Sequence, residues 1–265
     1  MDYETTIQLS HYWLPLIGFV IGLIATMVGG NGAFFFPPAL ILLFGVSPRV
    51  AIATSLAAVV PIGLIGSLAH YRRDNVNLPL GILFGIAGFA GAVSGAWVSG
   101  LLDAAIIVKA FGYYVLALGA FTFFMPKRNT HASLPAPRHI ADINKKQLPA
   151  ILILGLLAGI AAGLFGTSGT LTVLAGLFML QLPVKLIIGT SVLIVFINAL
   201  SGFGAHLVVG EIDFRLIWLL GSGAALGAFI GPWLLHYVKP GGKEGKIRYI
   251  FALKLIALGL FLVFR

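Results

Sequence analysis

The chain has 265 residues, of which 59% are hydrophobic and 9% charged, and its mean hydropathy is +1.05. A soluble domain of this length carries far more charged surface. The composition therefore excludes a soluble protein and predicts an all-α polytopic membrane protein. The net charge of +9 does not indicate nucleic-acid binding, because the basic residues lie in short segments between apolar runs, and the absence of cysteine excludes disulfides and thiolate metal sites.

The first half contains four long apolar runs and one short one. The long runs cover residues 12–27, 50–69, 78–101 and 104–124, and the short run covers 33–44. At 1.5 Å per residue the short run reaches roughly 17 Å, about half the thickness of the hydrocarbon core. It is joined to the first run by a glycine-rich break, which consists of Gly29, Gly30, Asn31 and Gly32. We predict a helix that enters the membrane, breaks near the midplane and returns as a half-helix; two full but short spans are the alternative.

The segment 126–147 has three prolines, five basic residues and no sustained apolar pattern, which predicts a cytoplasmic linker. Beyond it the pattern of the first half returns, with long runs at 148–165, 186–209, 216–238 and 247–264 and a short run at 170–180. The second break consists of Gly166, Thr167, Ser168 and Gly169. The prediction is therefore about eight helices in two repeats, residues 1–125 and 148–265, within one membrane domain. Each repeat is a broken re-entrant hairpin followed by three transmembrane helices.

The two halves also match residue by residue, since residues 28–99 align without gaps on residues 164–235. The telling pairs are Gly30–Gly166, Thr54–Thr190, Ser55–Ser191, Gly66–Gly202, Ala69–Ala205, His70–His206, Gly85–Gly221, Gly91–Gly227, Ala92–Ala228, Gly95–Gly231 and Trp97–Trp233. A repeat that keeps small, hydroxyl and imidazole groups in register within apolar sequence is typical of a transporter built from two halves. For Gly85, Gly91, Gly95 and their partners we expect close helix packing rather than a binding role.

Lys and Arg collect on one side of the predicted spans. That side receives Arg72, Arg73, Lys185, the five basic residues of the linker, Lys239, Lys243, Lys246 and Arg248, whereas the other side receives Arg49, Arg215 and Arg265 with most of the acidic residues. Cytoplasmic loops are rich in Lys and Arg, so the first side is predicted to be the cytoplasm. Both termini then face outward, the central loop faces inward, and the two repeats are inverted relative to each other.

No Asp or Glu lies deep in a predicted span. This argues against a sodium or metal-ion carrier, since an intramembrane cation normally has a carboxylate partner. An anion is instead suited by a helix N-terminus, which offers unpaired N–H groups and about half a positive charge. Each break ends at the N-terminus of a half-helix, and inversion brings the two N-termini toward the midplane from opposite sides. We therefore predict a neutral site for a small oxyanion at the two breaks, with helix packing by their glycines as the alternative.

Hydroxyl groups give further candidates for substrate binding. They belong to Thr54, Ser55, Thr190 and Ser191, which lie in the first turns of the spans that follow the half-helices. These hydroxyls line the cavity or, alternatively, bond to carbonyls of their own helices. Asn198 is a further polar candidate. It has no counterpart in the first half, because Ile62 occupies the matching position.

Two pairs of basic residues are candidates for gating. His70 and His206 lie near the far ends of the same two helices, and imidazole changes charge between pH 5 and 8, so the pair suits proton or anion gating. The alternative is an interfacial His satisfied by water or a carbonyl. Arg49 and Lys185 each precede one of these helices and suit the attraction of anions to the two mouths of the pathway, with a purely topological role as the alternative.

Several segments together resemble the TauE/SafE family of sulfite exporters. They are Val28-Gly29-Gly30-Asn31-Gly32, Pro37-Pro38-Ala39-Leu40, Ala51-Ile52-Ala53-Thr54-Ser55-Leu56 and Ala69-His70, with Gly166-Thr167-Ser168-Gly169 and Gly189-Thr190-Ser191 in the second half. The resemblance covers nearly the whole chain and departs at Asn31, where family members often have a third glycine. It implies an inner-membrane transporter of sulfite, sulfonates or related sulfur compounds.

The resulting hypothesis is an inverted-repeat carrier for sulfite or a sulfonate, such as sulfoacetate or a taurine-derived anion, that works by alternating access without a cofactor. Its expected partners are the anion and the lipid bilayer, and a homodimer stays open. An anion channel shares the same site but passes ions without saturation; another small anion or an organic acid is a further alternative. An enzyme is disfavoured, because hydroxyls and imidazoles lie roughly 24 Å apart within each repeat.

Overall fold

The computed structural model describes residues 9–27, 34–124, 137, 139, 142–167, 169–180, 182–234 and 244–264. Over this part of the chain the protein is all-α, with a short 3-10 helix at Leu9–Trp13. The α-helices are α1 Leu14–Met27, α2 Phe36–Leu43, α3 Pro48–Tyr71, α4 Leu78–Leu101, α5 Ala104–Phe124, α6 Leu148–Phe165, α7 Thr170–Met179, α8 Val184–Val209, α9 Phe214–Leu234 and α10 Glu244–Phe264. Within the described residues, α3, α4, α5, α6, α8 and α9 are long and apolar enough to cross a membrane, which confirms the predicted polytopic fold.

Local signals explain where several helices begin and end. Helices α2, α3, α4 and α6 have a proline in the first turn, where the missing N–H leaves no intrahelical bond unmade. The side chain of Asn77 accepts a 3.0 Å hydrogen bond from the N–H of Leu80 and so caps α4. The two short apolar runs form α2, of eight residues, and α7, of ten residues, and helices of that length cannot cross the membrane.

The helices of the two halves interlock. Helix α1 packs on α9 and α4 packs on α6, while α3 packs on α9 and α4 packs on α8. The remaining main pairs are α3 with α8 and α5 with α10. Each helix of α1–α5 has a counterpart five places later in α6–α10. If every helix is replaced by its counterpart, the same set of packing pairs results, as expected for two equivalent structural units.

Helices α3 and α8 form the centre of the bundle. Of the apolar 18-residue stretch of each helix, 78% of the residues are buried in α3 and 61% in α8, against 28% in α5. Leu56 of α3 lies against Gly202 of α8, and Gly66 lies against Val192. The two helices are therefore antiparallel and cross near their midpoints.

Glycines bring α4 and α6 into backbone contact. An added Cβ on Gly159 or Gly163 of α6 would overlap a carbonyl oxygen of α4, and one on Gly91 or Gly95 of α4 would overlap a carbonyl oxygen of α6. Such close approach is how small residues join helices in membranes. The packing role predicted for Gly91 and Gly95 is confirmed.

The same kind of contact joins α1 and α9. It is made by Gly18, Gly22, Gly223, Gly227 and Gly231. Gly85 also packs closely, against the side chain of Ile197. The expectation is wrong for Gly221, the partner of Gly85, because a Cβ there would meet nothing within 4 Å.

Gly163→Ala is expected to destabilise the bundle, because the added methyl group overlaps the carbonyl oxygen of Ala92 and forces α4 and α6 apart. Overpacking of this kind costs about 1–3 kcal/mol, which corresponds to a fall in Tm of roughly 3–10 °C. The Tm of the detergent-solubilised protein measures the effect. Gly221→Ala, at an open position, is the matched control and should shift Tm by less than about 1 °C. Equal Tm values for the two variants would contradict the contact.

Candidate functional site

Helices α6 and α7 form a hairpin whose tip is the second predicted break. Helix α6 ends at Gly166 and α7 begins after Gly169, and both glycines have left-handed backbone, with φ of 71° and 64°. Beyond the tip, Gly169 lies against the carbonyl of Ala158, and Gly176 lies against the side chain of Leu154. Helix α7 therefore runs back beside α6, toward the side of the membrane from which α6 entered. The re-entrant interpretation is confirmed for the second half.

The N-terminus of α7 lies at mid-depth in the bundle. Gly169 touches Ala158, and the next residue, Gly159, packs against Gly88 near the middle of the 24-residue helix α4. This is the depth that the sequence predicted for a half-helix N-terminus. Five of the predicted site residues lie outside the described residues: Gly29, Gly30, Asn31, Gly32 and Ser168.

A cluster of aromatic side chains connects the segment after the first break with the segment before the second. Phe34 follows the first break and Phe165 precedes the second, and their ring centroids lie 5.6 and 5.5 Å from that of Phe111 on α5. Tyr114 stacks on Phe165 at 5.3 Å, and its hydroxyl shares a 3.2 Å hydrogen bond with the hydroxyl of Thr172 on α7. Sequence reasoning missed this cluster, although Phe34, two residues after the first break, and Phe165, directly before the second, were the available signal.

Helix α3 places one buried hydroxyl, that of Ser55, on the face that contacts the second break, and a second, that of Thr54, next to it in the chain. A Cβ on Gly166 would lie 2.9 Å from the Cα of Ile52, so the hairpin tip rests on α3. Ser55 follows Ile52 by three positions and therefore lies on the same helix face. Thr54 and Ser55 are 0% exposed, and neither hydroxyl has a hydrogen-bond partner among the described residues, not even a carbonyl of α3. A buried unpaired polar group costs about 1–3 kcal/mol, so both hydroxyls are available to a ligand.

The matching hydroxyls of the second half are already engaged. Thr190 Oγ1 accepts a 2.8 Å hydrogen bond from the N–H of Asn77, at the start of α4. Ser191 donates to the carbonyl of Ile188 at 2.7 Å, which is an intrahelical bond. One sequence motif therefore has two structural roles: unpartnered hydroxyls in the first half and backbone partners in the second.

His206 caps the end of α6. Its Nε2 lies 2.8 Å from the carbonyl oxygen of Gly163, and because a carbonyl only accepts, Nε2 carries a proton and donates it. Gly163 lies in the last turn of α6, where carbonyls have no partner within the helix. His70 differs, since it is half-buried in the last turn of α3 beside Gly189, and its Nδ1 has no partner in the described part of the chain. Gating by the two imidazoles stays a prediction.

Arg49 holds three segments together at one end of the bundle. Its guanidinium donates to the carbonyl of Leu102, just past α4, at 3.1 Å and lies 3.6 Å from the carboxylate of Glu211 in the loop between α8 and α9. Lys185, at the matching position of α8, is exposed. That Arg49 and Lys185 attract anions to the two mouths of the pathway stays a prediction. The contacts of Arg49 fix the start of α3 to both halves of the chain.

A groove on the outside of the bundle is separate from this site. It has a volume of about 430 Å³ and lies between α4 and α8, where Phe89, Trp97, Leu200 and Gly204 contribute to its lining. Its walls are almost entirely apolar and it is open to the surface. Such a lining suits lipid chains and not an anion.

The sequence matches the family model described as sulfite exporter TauE/SafE over residues 14–262. The probable membrane transporter protein YdhB of Bacillus subtilis is 28% identical over 220 residues, which cover 82% of this chain and 86% of that protein. The probable membrane transporter protein YunE of the same organism is 25% identical over 272 residues, which cover 97% and 98%. The probable membrane transporter protein MJ0441 of Methanocaldococcus jannaschii is 28% identical over 202 residues, which cover 73% and 71%. No solved structure matches the chain.

The family match extends from α1 to α10, and the named relatives are described as probable membrane transporter proteins. The helices of this chain form the multi-pass fold that such a protein needs in a lipid bilayer. The chain belongs to the sulfite exporter TauE/SafE family of membrane transporters.

Proposed function

We propose that the protein is a secondary transporter of small sulfur-containing anions, such as sulfite, sulfoacetate or taurine-derived anions, across the bacterial inner membrane. The observation that carries the proposal is the buried, unpartnered hydroxyl of Ser55, on the face of α3 that contacts the tip of the α6–α7 hairpin; the hydroxyl of its chain neighbour Thr54 is equally buried and unpartnered. The family description supports the substrate class.

The chemistry of the hairpin tip supports an oxyanion as the ligand. A helix N-terminus such as that of α7 carries a partial positive charge, and hydroxyl groups donate hydrogen bonds to sulfite or sulfonate oxygens. Thr167 and Thr170 are buried at the same tip. Residues 151–180 contain no charged side chain, so binding relies on dipoles and hydroxyls and the anion can also leave.

The arrangement of the helices supports alternating access. Residues 1–125 and 148–265 form two inverted repeats in this proposal, the segment 126–147 links them in the cytoplasm, and both termini face outward. The equivalent packing partners of the two halves support the division. Rocking of one repeat against the other opens the hairpin tip to each side of the membrane in turn.

Flux of radiolabelled sulfite into proteoliposomes tests the proposal. We expect saturable uptake that sulfoacetate or taurine inhibits and chloride does not, and the double variant Thr54→Val/Ser55→Ala should lose at least about tenfold in uptake. Thr122→Val is the matched control, because that hydroxyl donates to the carbonyl of Leu118 in its own helix. Uptake that never saturates would indicate a channel instead, and the absence of flux of any of these anions would contradict the substrate class.

A further inference from the structure

Asn198 carries a fully buried amide that the hairpin site does not use. It lies near the middle of α8 and is 0% exposed, and neither its Oδ1 nor its Nδ2 has a hydrogen-bond partner in the part of the chain that the structure describes. Its Oδ1 occupies the space where a Cβ on Gly88 would stand. The amide therefore points at the middle of α4.

Packing alone does not explain an amide at this position. Ser201, one turn further along α8, donates its hydroxyl to the carbonyls of Ile197 and Asn198 and leaves the amide group unpaired. Ile62 stands at the matching position of α3 and is buried to the same degree, so an apolar side chain fits the equivalent place. An unpaired donor and an unpaired acceptor in the hydrocarbon core are both unfavourable, and a polar group kept there indicates function.

Asn198 lies at the depth of the α7 N-terminus. Gly88, which faces the amide, also packs against Gly159 of α6, and the adjacent Ala158 is covered by Gly169 at the start of α7. The amide and the helix N-terminus therefore occupy one level of the bundle, among α4, α6, α7 and α8.

We propose that Asn198 binds the transported anion at the midplane and selects a protonated oxyanion over an unprotonated one. The Nδ2 group donates to a charged oxygen, and Oδ1 accepts from an O–H group. Hydrogen sulfite carries both kinds of oxygen, whereas a sulfonate has no O–H and leaves Oδ1 unpaired. Gly88 shields the amide in this conformation, so the anion reaches it when α4 moves relative to α8. The inference rests on the proposed sulfur-anion transport and ranks its substrates: hydrogen sulfite binds best, and sulfonates still compete but at about tenfold higher concentration.

Competition between sulfite and methanesulfonate tests this selectivity. Uptake of labelled sulfite is measured at one pH in proteoliposomes that contain wild type, Asn198→Leu or Asn198→Ala, with Ser201→Ala as the matched control from the same helix. We expect wild type and Ser201→Ala to prefer sulfite by about tenfold or more, because a site built to pair an O–H group rejects a ligand that lacks one. Both Asn198 variants should prefer sulfite by less than about twofold.

The outcomes separate this inference from the transport function. A wild-type preference retained in both Asn198 variants would overturn the inference and leave sulfur-anion transport standing, since an amide with a structural role changes the folded yield or the maximal rate and not the preference. The absence of sulfite uptake in wild type would overturn the proposed function and the inference with it. Sulfite-induced change in Tm in detergent is a second readout, expected in wild type and Ser201→Ala and expected to be lost in Asn198→Ala; an undiminished change in that variant would contradict the inference.

Discussion

Gly166→Ala is expected to lower sulfite uptake strongly while folded protein is still recovered. Gly166 has φ of 71°, a region that costs other residues roughly 1–2 kcal/mol, and its Cβ would lie 2.9 Å from the Cα of Ile52. The hairpin tip must then move away from α3, which separates the α7 N-terminus from Ser55. Uptake into proteoliposomes, normalised to reconstituted protein, should fall roughly 100-fold, as a misplacement of about an ångström does in a preorganised site.

Gly45→Ala separates backbone strain from the contact with α3. Gly45 has φ of 64°, close to that of Gly166, but a Cβ there would meet nothing within 4 Å. This variant should lose about 1–2 kcal/mol of stability and keep its uptake. If it lost as much uptake as Gly166→Ala, strain and not the position of the hairpin tip would explain the effect.

His206→Ala is expected to displace the hairpin tip as well, because it removes a hydrogen bond to the end of α6. The variant leaves the carbonyl of Gly163 without its donor in an apolar interior, which costs about 1–3 kcal/mol, and uptake should fall about tenfold or more. His206→Gln keeps an N–H donor at a similar distance from the backbone and should keep most of the uptake. Full activity in His206→Ala would contradict the role of His206 as a helix cap.

The same variants address gating by imidazole. Glutamine does not titrate, so His206→Gln and His70→Gln should flatten the dependence of uptake on pH between 5 and 8 if these groups are gates. A pH profile like that of wild type in both variants would leave His206 with its cap alone and remove the gating hypothesis for His70.

Much of the architecture is predictable from sequence because the bilayer limits what an apolar run can form. A long run crosses the hydrocarbon core, and a run of about half that length beside a glycine-rich break cannot, which is why the hairpin at Gly166 was expected. The close packing at Gly91 was expected for an equally general reason, since small residues join membrane helices. Gly221 shows the limit, because an identical residue in the repeat faces open space.

The unequal use of the two hydroxyl pairs could not be predicted. Thr54 and Thr190 are the same residue in the same register, and only their neighbours differ: the N–H of Asn77 reaches Thr190, and no described donor reaches Thr54. The contact between Arg49 and Glu211 likewise depends on which loops meet at one end of the bundle. Such contacts join residues that are distant along the chain, so no local pattern indicates them.

The half-saturation concentration for sulfite in Ser55→Ala and Ser191→Ala tests most directly whether the two halves, alike in sequence, contribute unequally to binding. Ser55→Ala removes an unpartnered hydroxyl beside the hairpin tip and should raise that concentration about tenfold. Ser191→Ala removes a hydroxyl that donates to the carbonyl of Ile188 and should raise it less than about twofold. Equal increases in the two variants, or a larger one in Ser191→Ala, would contradict a site built on the hydroxyls of α3.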